Sequence, residues 1–260
     1  MDFGLAGASV IITGGASNIG RALVRGFAEE GAHVCIADID VEQAEKVAAD
    51  IGGDRVEVRH TDVTDPDSVQ GTVEGVLATR GAIDVLVNCA GWTVDRKFTD
   101  KPRSEWEREV NIDFWGFVNF TRACLDSMIE RGSGRVVSIG SDAGRIGEWR
   151  EAVYSGAKAG VIATSKAIAK EVGRHGITLN VVCPGFTPGR PEASGAESIW
   201  QGEQGAQFDD EILAKVAKSY PVRRLGTPED VVTPVLMFAS QQASYITGQT
   251  LSVSGGYTMI

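Results

Sequence analysis

The chain has no basic excess, no long apolar run, no paired-cysteine motif and few histidines. Its 25 Lys and Arg stand against 35 Asp and Glu, a formal charge of −10, and the isoelectric point is near 4.9. Such a surface repels phosphate backbones and anionic lipid headgroups, which argues against nucleic acid or a membrane as partner. The apolar run at residues 8–12 is too short for a signal or a membrane span, and Asp2 stands where a signal would carry basic residues. Cys35, Cys89, Cys124 and Cys183 form no C-x-x-C and no metal-like spacing to a histidine. They read as small apolar residues of a cytoplasmic protein. His33, His60 and His175 are isolated, so no metal is assigned. Internal repeats and low-complexity tracts are also missing. What remains is globular: 43% hydrophobic residues over 260 positions, read as one domain, 1–260, with a continuous core.

Short β-branched runs alternate with amphipathic stretches. Strands are expected at residues 9–13, 33–38, 55–61, 83–88, 134–139, 178–183 and 250–254. Helices are expected at 19–30, 41–51, 66–79, 104–131, 152–174 and 228–240, with Asp65 and Thr227 as caps before Pro66 and Pro228. Nearly continuous apolar strands suit a parallel sheet covered on both faces. The pattern predicts an α/β, Rossmann-type doubly wound sheet. Residues 187–224 break the rhythm, with a short helix at 209–219, and read as a substrate lid beyond a strand's carboxyl end.

The first strand runs into T-G-G-A-S-N-I-G, Thr13 to Gly20, and a helix follows. Gly14 and Gly20 let the backbone approach a pyrophosphate, while Ser17, Asn18 and Ile19 open a helix whose free N–H groups attract it. Asn18 takes the place of a middle glycine and tolerates a left-handed turn. Asp38 ends the second strand, where a carboxylate accepts bonds from ribose hydroxyls and repels a 2′-phosphate; NAD is therefore expected rather than NADP. Farther on, Tyr154 and Lys158 stand four apart in Y-S-G-A-K, on one helix face, with Ser141 upstream.

Taken together these motifs resemble the short-chain dehydrogenase/reductase family, from Thr13 to the C-terminus. The resemblance implies Ser141, Tyr154 and Lys158 as catalytic residues and Asn111 as the holder of a water on the fourth helix. It implies Asp62 and Val63 at the adenine, and Asn88, Ala90 and Gly91 of N-C-A-G along the dinucleotide. Pro184 and Gly185 would face the nicotinamide, with Thr187 for its carboxamide. Tyr154 would be the base, its pKa brought down from near 10 by the Lys158 ammonium. Lys158 would also hold the ribose, and Ser141 would donate to the substrate oxygen. A homotetramer or homodimer built on the two long helices is implied as well.

For substrate, Trp92, Trp149 and Trp200 read as walls of an apolar pocket, and Arg145, Arg150 and Arg190 as contacts for an anionic tail. Trp106 and Trp115 are expected in the core. S-D-A-G-R-I-G, N-V-V-C-P-G and the C-terminal segment are similar to those of 2-hydroxycyclohexanecarbonyl-CoA dehydrogenases. The reading is thus an NAD-dependent oxidoreductase of a secondary alcohol, with a cyclic hydroxyacyl-CoA as candidate substrate. A 3-oxoacyl reductase of fatty-acid type is the alternative, and Asp38 speaks against its usual NADPH. An enoyl reductase spaces its Tyr and Lys more widely. A non-catalytic NAD-binding sensor would have no need of the Ser–Tyr–Lys set.

Overall fold

A computed structural model describes residues 2–52, 55–189, 195, 198, 200–201 and 208–260. Its strands are β1 (Ser9–Thr13), β2 (His33–Asp38), β3 (Val56–His60), β4 (Val85–Asn88), β5 (Gly134–Ile139), β6 (Ile177–Pro184) and β7 (Thr250–Val253). They form one sheet in the order β3-β2-β1-β4-β5-β6-β7, and every pairing is parallel. Helices α1 (Asn18–Glu29), α2 (Val41–Ile51) and α3 (Pro66–Arg80) alternate with the first strands. Then come α4 (Arg103–Glu109), a π-helical turn (Val110–Trp115), α5 (Gly116–Arg131), α6 (Ala143–Ile146), α7 (Ala152–Val172), α8 (Asp210–Ala217) and α9 (Pro228–Ala239).

The apolar runs become strands because alternate residues find different cores on the two faces. Val10, Ile12, Val34, Ile36, Val85 and Val87 join Leu23 and Phe27 of α1 and Val231 and Val235 of α9 on one face. Ile11, Cys35, Ala37 and Leu86 join Val69 and Val73 of α3, Phe120 and Cys124 of α5 and Val172 of α7 on the other. Phe27 and Phe120 are fully buried, each worth about 1.5–3 kcal/mol in area removed from water. The expected caps are in place. Asp65 accepts from Asp67 N at 3.0 Å, and Thr227 N donates to Asp230 at 2.8 Å.

Two expectations of the sequence change. The fourth helix is interrupted by a π turn, a one-residue widening that periodicity does not announce. Trp115, at the end of that turn, is 50% exposed rather than in the core, while Trp106 stacks on Phe98 with centroids 4.9 Å apart. The strand order reverses between β1 and β4, and a crevice opens there at the carboxyl ends of the strands. Much of the expected lid, Arg190 included, lies outside the described residues.

Candidate active site

The crevice is a cavity of about 600 Å³. Its cofactor end is built by the turn after β1. Gly14 has φ +69°, and a Cβ there would stand 2.7 Å from Ala90 Cα. A Cβ on Gly20 would run into the Gly14 carbonyl, so the first turn of α1 closes only over glycine. Asn18 has φ +43°, as its place in the turn demands, and its Nδ2 donates to Thr187 O at 3.3 Å. Thr13 Oγ1 accepts from Cys89 N and Ala90 N, both at 3.0 Å, tying this turn to the segment after β4. Asp38 Oδ2 accepts from Ala16 N at 2.9 Å and Oδ1 from Asp40 N at 3.0 Å. Burial raises its pKa, and the backbone donors at Asp40 and Ala16 oppose that rise.

The other end holds Ser141, Tyr154 and Lys158. Ser141 follows β5 in the α6 turn, and Tyr154 and Lys158 share the cleft-facing side of α7. Tyr154 is half-buried. Its pKa lies well above the usual phenol value because of burial, with the carboxylates of Asp113 and Glu151 adding to the rise and a Ser141 hydrogen bond opposing it. The lowering expected from Lys158 is not among the leading effects. Lys158 Nζ stands 5.6 Å from the Tyr154 ring centroid, 3.1 Å from Asp113 Oδ1, and donates to Ile139 O at 3.0 Å. Its charge is spent largely on Asp113.

Most of the residues singled out in the sequence come together in the cleft wall: Gly14, Ser17, Asn18, Ile19, Gly20, Asp38, Asp62, Val63, Ala90, Gly91, Ser141, Tyr154, Lys158, Pro184, Gly185 and Thr187. Trp92, Trp149 and Trp200 line it too. Four others do not. Asn88 sits beneath the floor, where its Nδ2 donates to Thr121 Oγ1 at 3.2 Å and Ser138 Oγ at 3.3 Å. Asn111 is exposed. Helical residues two apart point to nearly opposite sides, and here Asp113 is the one that faces inward. Arg150 is not in the cleft wall itself but pairs with Asp95 of that wall, at 2.8 Å. Arg145 likewise donates to Ser252 Oγ at 2.6 Å.

A family model described as enoyl-(acyl carrier protein) reductase matches residues 14–258. The chain belongs to the short-chain dehydrogenase/reductases. It is an oxidoreductase, and it is similar to several proteins named 3-oxoacyl-[acyl-carrier-protein] reductase FabG. That of Chlamydia muridarum is 36% identical over 251 residues, covering 95% of this chain and 96% of the relative. That of Escherichia coli K12 is 33% identical over 254 residues, 98% of each chain. That of Vibrio cholerae is 32% identical over 256 residues, 98% of this chain and 99% of the relative.

The substrate end of this short-chain dehydrogenase/reductase is more aromatic and more acidic than its motifs foretold. Phe186 packs on Phe208 at 5.1 Å and on Trp200 at 6.0 Å between ring centroids. Tyr220 stacks on Tyr257 at 5.0 Å and accepts from Phe186 N at 2.9 Å. The Arg108 guanidinium lies 4.4 Å from the Trp92 ring centroid. Glu148, Glu151 and Asp95 share the same wall. Burial pushes the Glu151 carboxyl up to about 7, and Glu148 and Asp95 add to that rise. Buried Lys101 and Glu109 form an ion pair behind Thr93 and Val94 and hold this wall. An acid within an apolar helical run, as in I-D-F-W-G, was the available signal for Asp113. Nothing in the sequence linked Tyr257 to a cleft whose other residues lie far upstream.

Proposed function

We propose that this oxidoreductase interconverts a secondary alcohol and a ketone with NAD, on an acyl thioester whose acyl part carries the reacting carbon. The observation that carries the reading is one crevice lined at one end by the glycine turn and Asp38 and at the other by Ser141, Tyr154 and Lys158. The turn fits a dinucleotide. The N-terminus of α1 opens onto the crevice, and Asn18 Oδ1 is buried there without a hydrogen-bond partner. Ser17, Asn18, Ile19 and the two glycines would hold the pyrophosphate, Asp38 the adenosine ribose, and Asp62 and Val63 the adenine. Ala90, Gly91, Pro184, Gly185 and Thr187 would hold the nicotinamide half. NAD rather than NADP follows from charge. Among the described residues, the basic side chains of the cleft wall are Arg108 and Lys158, which sit against Trp92 and Asp113 rather than Asp38.

When bound, NAD is the hydride acceptor. Tyr154 as phenolate takes the hydroxyl proton while the carbinol C–H bond breaks and the C=O bond forms; reduction runs the same steps backward. Ser141 donates to the substrate oxygen as its charge changes. Lys158 would reach the ribose, while Asp113 offsets much of the charge it presents to the phenolate. Tyr154→Phe is expected to lower turnover by about a thousandfold or more, the scale of a lost acid/base group. NADH binding, followed by tryptophan fluorescence, should change less than about threefold, under 1 kcal/mol. Turnover close to the wild-type rate in this variant would sink the assignment.

The aromatic wall of Trp92, Phe186, Trp200 and Phe208 supports a ring as the acyl group, hence a cyclic 2-hydroxyacyl-CoA. The names of the relatives support a second reading, a 3-oxoacyl thioester reduced in fatty-acid fashion. NADH formation from a cyclic hydroxyacyl-CoA, set against NADH consumption with a 3-oxoacyl thioester, separates the two. The arginine contact for a CoA phosphate carries less weight, because Arg145 and Arg150 are engaged internally. We further read residues 1–260 as one catalytic domain in the cytoplasm, in keeping with four unpaired cysteines. A homodimer or homotetramer is supported by exposed Trp115, Leu251, Met259 and Ile260. Among the described residues no helix is long and apolar enough to cross a membrane.

A further inference from the structure

Lys158 and Asp113 form an ion pair with almost no access to water, their side chains 5% and 0% exposed. The π turn directs Asp113 inward, and its Oδ2 accepts from Trp92 N at 3.2 Å. A Cβ on Gly91 would stand 2.8 Å from Asp113 Oδ1 and 3.5 Å from Lys158 Nζ, so the chain has a glycine where the pair needs room. Neutral Thr13, Asn88 and Ser138 face it from β1, β4 and β5. The other charged or titratable neighbours are Glu109, one turn earlier and paired with Lys101, Tyr154, and the thiols of Cys89 after β4 and Cys183 on β6, both pushed up to about 12 by burial and so neutral. Despite Lys158, burial pushes the Asp113 carboxyl up to about 6, so it is largely ionised at neutral pH.

We propose that Asp113 is a positioning residue of the hydride-transfer site: its buried carboxylate holds the Lys158 ammonium at the cleft floor, offsets part of its charge, and so sets the pH at which Tyr154 becomes a base. The inference rests on the reading of Tyr154 as the acid/base group. A carboxylate so close makes phenol ionisation harder. The arrangement places the working range of the tyrosine at higher pH.

The test is the pH profile of kcat/KM for alcohol oxidation between about pH 6 and pH 10, in the wild type and in Asp113→Asn. Asparagine keeps the size and one acceptor oxygen, enough for Trp92 N or for Lys158 but not for both, and removes the charge. Removing a nearby negative charge favours the deprotonated phenol, so the rising limb is expected to move down by about one pH unit. A limb that stays or moves up, even with a lower rate throughout, would leave Asp113 a structural counter-ion and overturn the proposal. If Asp113→Asn strands the ammonium and fails to fold, Lys158→Met/Asp113→Asn removes both charges together, a change buried pairs tolerate better. Its limb should lie about one unit below that of Lys158→Met; coincident limbs would overturn the proposal. Turnover surviving in Tyr154→Phe defeats the parent reading and this one with it. A dead Tyr154→Phe with an unmoved Asp113→Asn limb defeats this one alone.

Discussion

Asp38 shows how far a single side chain can be read before its surroundings are known. Its place at the end of β2, after a glycine turn, was enough to expect a ribose contact. The sequence could not tell that the same carboxylate also braces the turn, through Ala16 N at 2.9 Å. Asp38→Asn is therefore expected to lower kcat/KM with NAD by about tenfold, near 1.4 kcal/mol, and to narrow the margin over NADP, checked by steady-state kinetics with both cofactors. Asn111 and Asp113 mark the limit of such reading. Both are polar residues on one helix two positions apart, and only the packing against Lys158 says which one turns inward. Asn88 is a similar case, a polar residue of a recognised motif that works beneath the crevice.

Elements were more legible than residues, because their signals are repeated. β1, β2, β5 and α2 begin and end where the apolar runs do, and Asp65 and Thr227 mark helix starts through hydrogen bonds that few other residues can make. The π turn and α6 left no such trace. One departs from the helical period by a single residue, and the other is four residues long. The turn after β1 allows a sharp prediction at this scale. Gly20→Ala sets a methyl group against the Gly14 carbonyl, with backbone on both sides and no flexible side chain to yield. NADH binding should weaken by at least about tenfold, 1.4 kcal/mol, and the melting temperature should fall; unchanged binding in a titration would count against the turn as the pyrophosphate site.

For the whole molecule, the acidic wall of the cleft couples charge to stability. Glu151 is held at about 7 by burial and by its acidic neighbours, far above the ordinary carboxyl value of 4.5. The folded state thus binds its proton more tightly than the unfolded chain does. The stabilisation is complete below the ordinary value and is lost as pH rises through about 7. Asp113, raised to about 6, acts in the same sense over a lower window. Melting temperature should accordingly fall between about pH 4 and pH 7, and Glu151→Gln should flatten that fall by roughly 3 °C. Equal slopes in thermal scans of the two proteins would show that Glu151 does not carry the effect. Charge composition announced an acidic protein, but only the fold shows which acids are forced together.

The strand order carries a consequence for how the chain is made. β1 is synthesised well before β4, yet one of its edges pairs with that strand, some seventy-five positions later in register Val10↔Val85. Until that strand emerges, this fully buried strand has one row of amide groups open to any passing strand. A nascent chain stalled before residue 85 would be a sticky species, and a chaperone that shields it for the synthesis of those few dozen residues would govern the yield of folded enzyme.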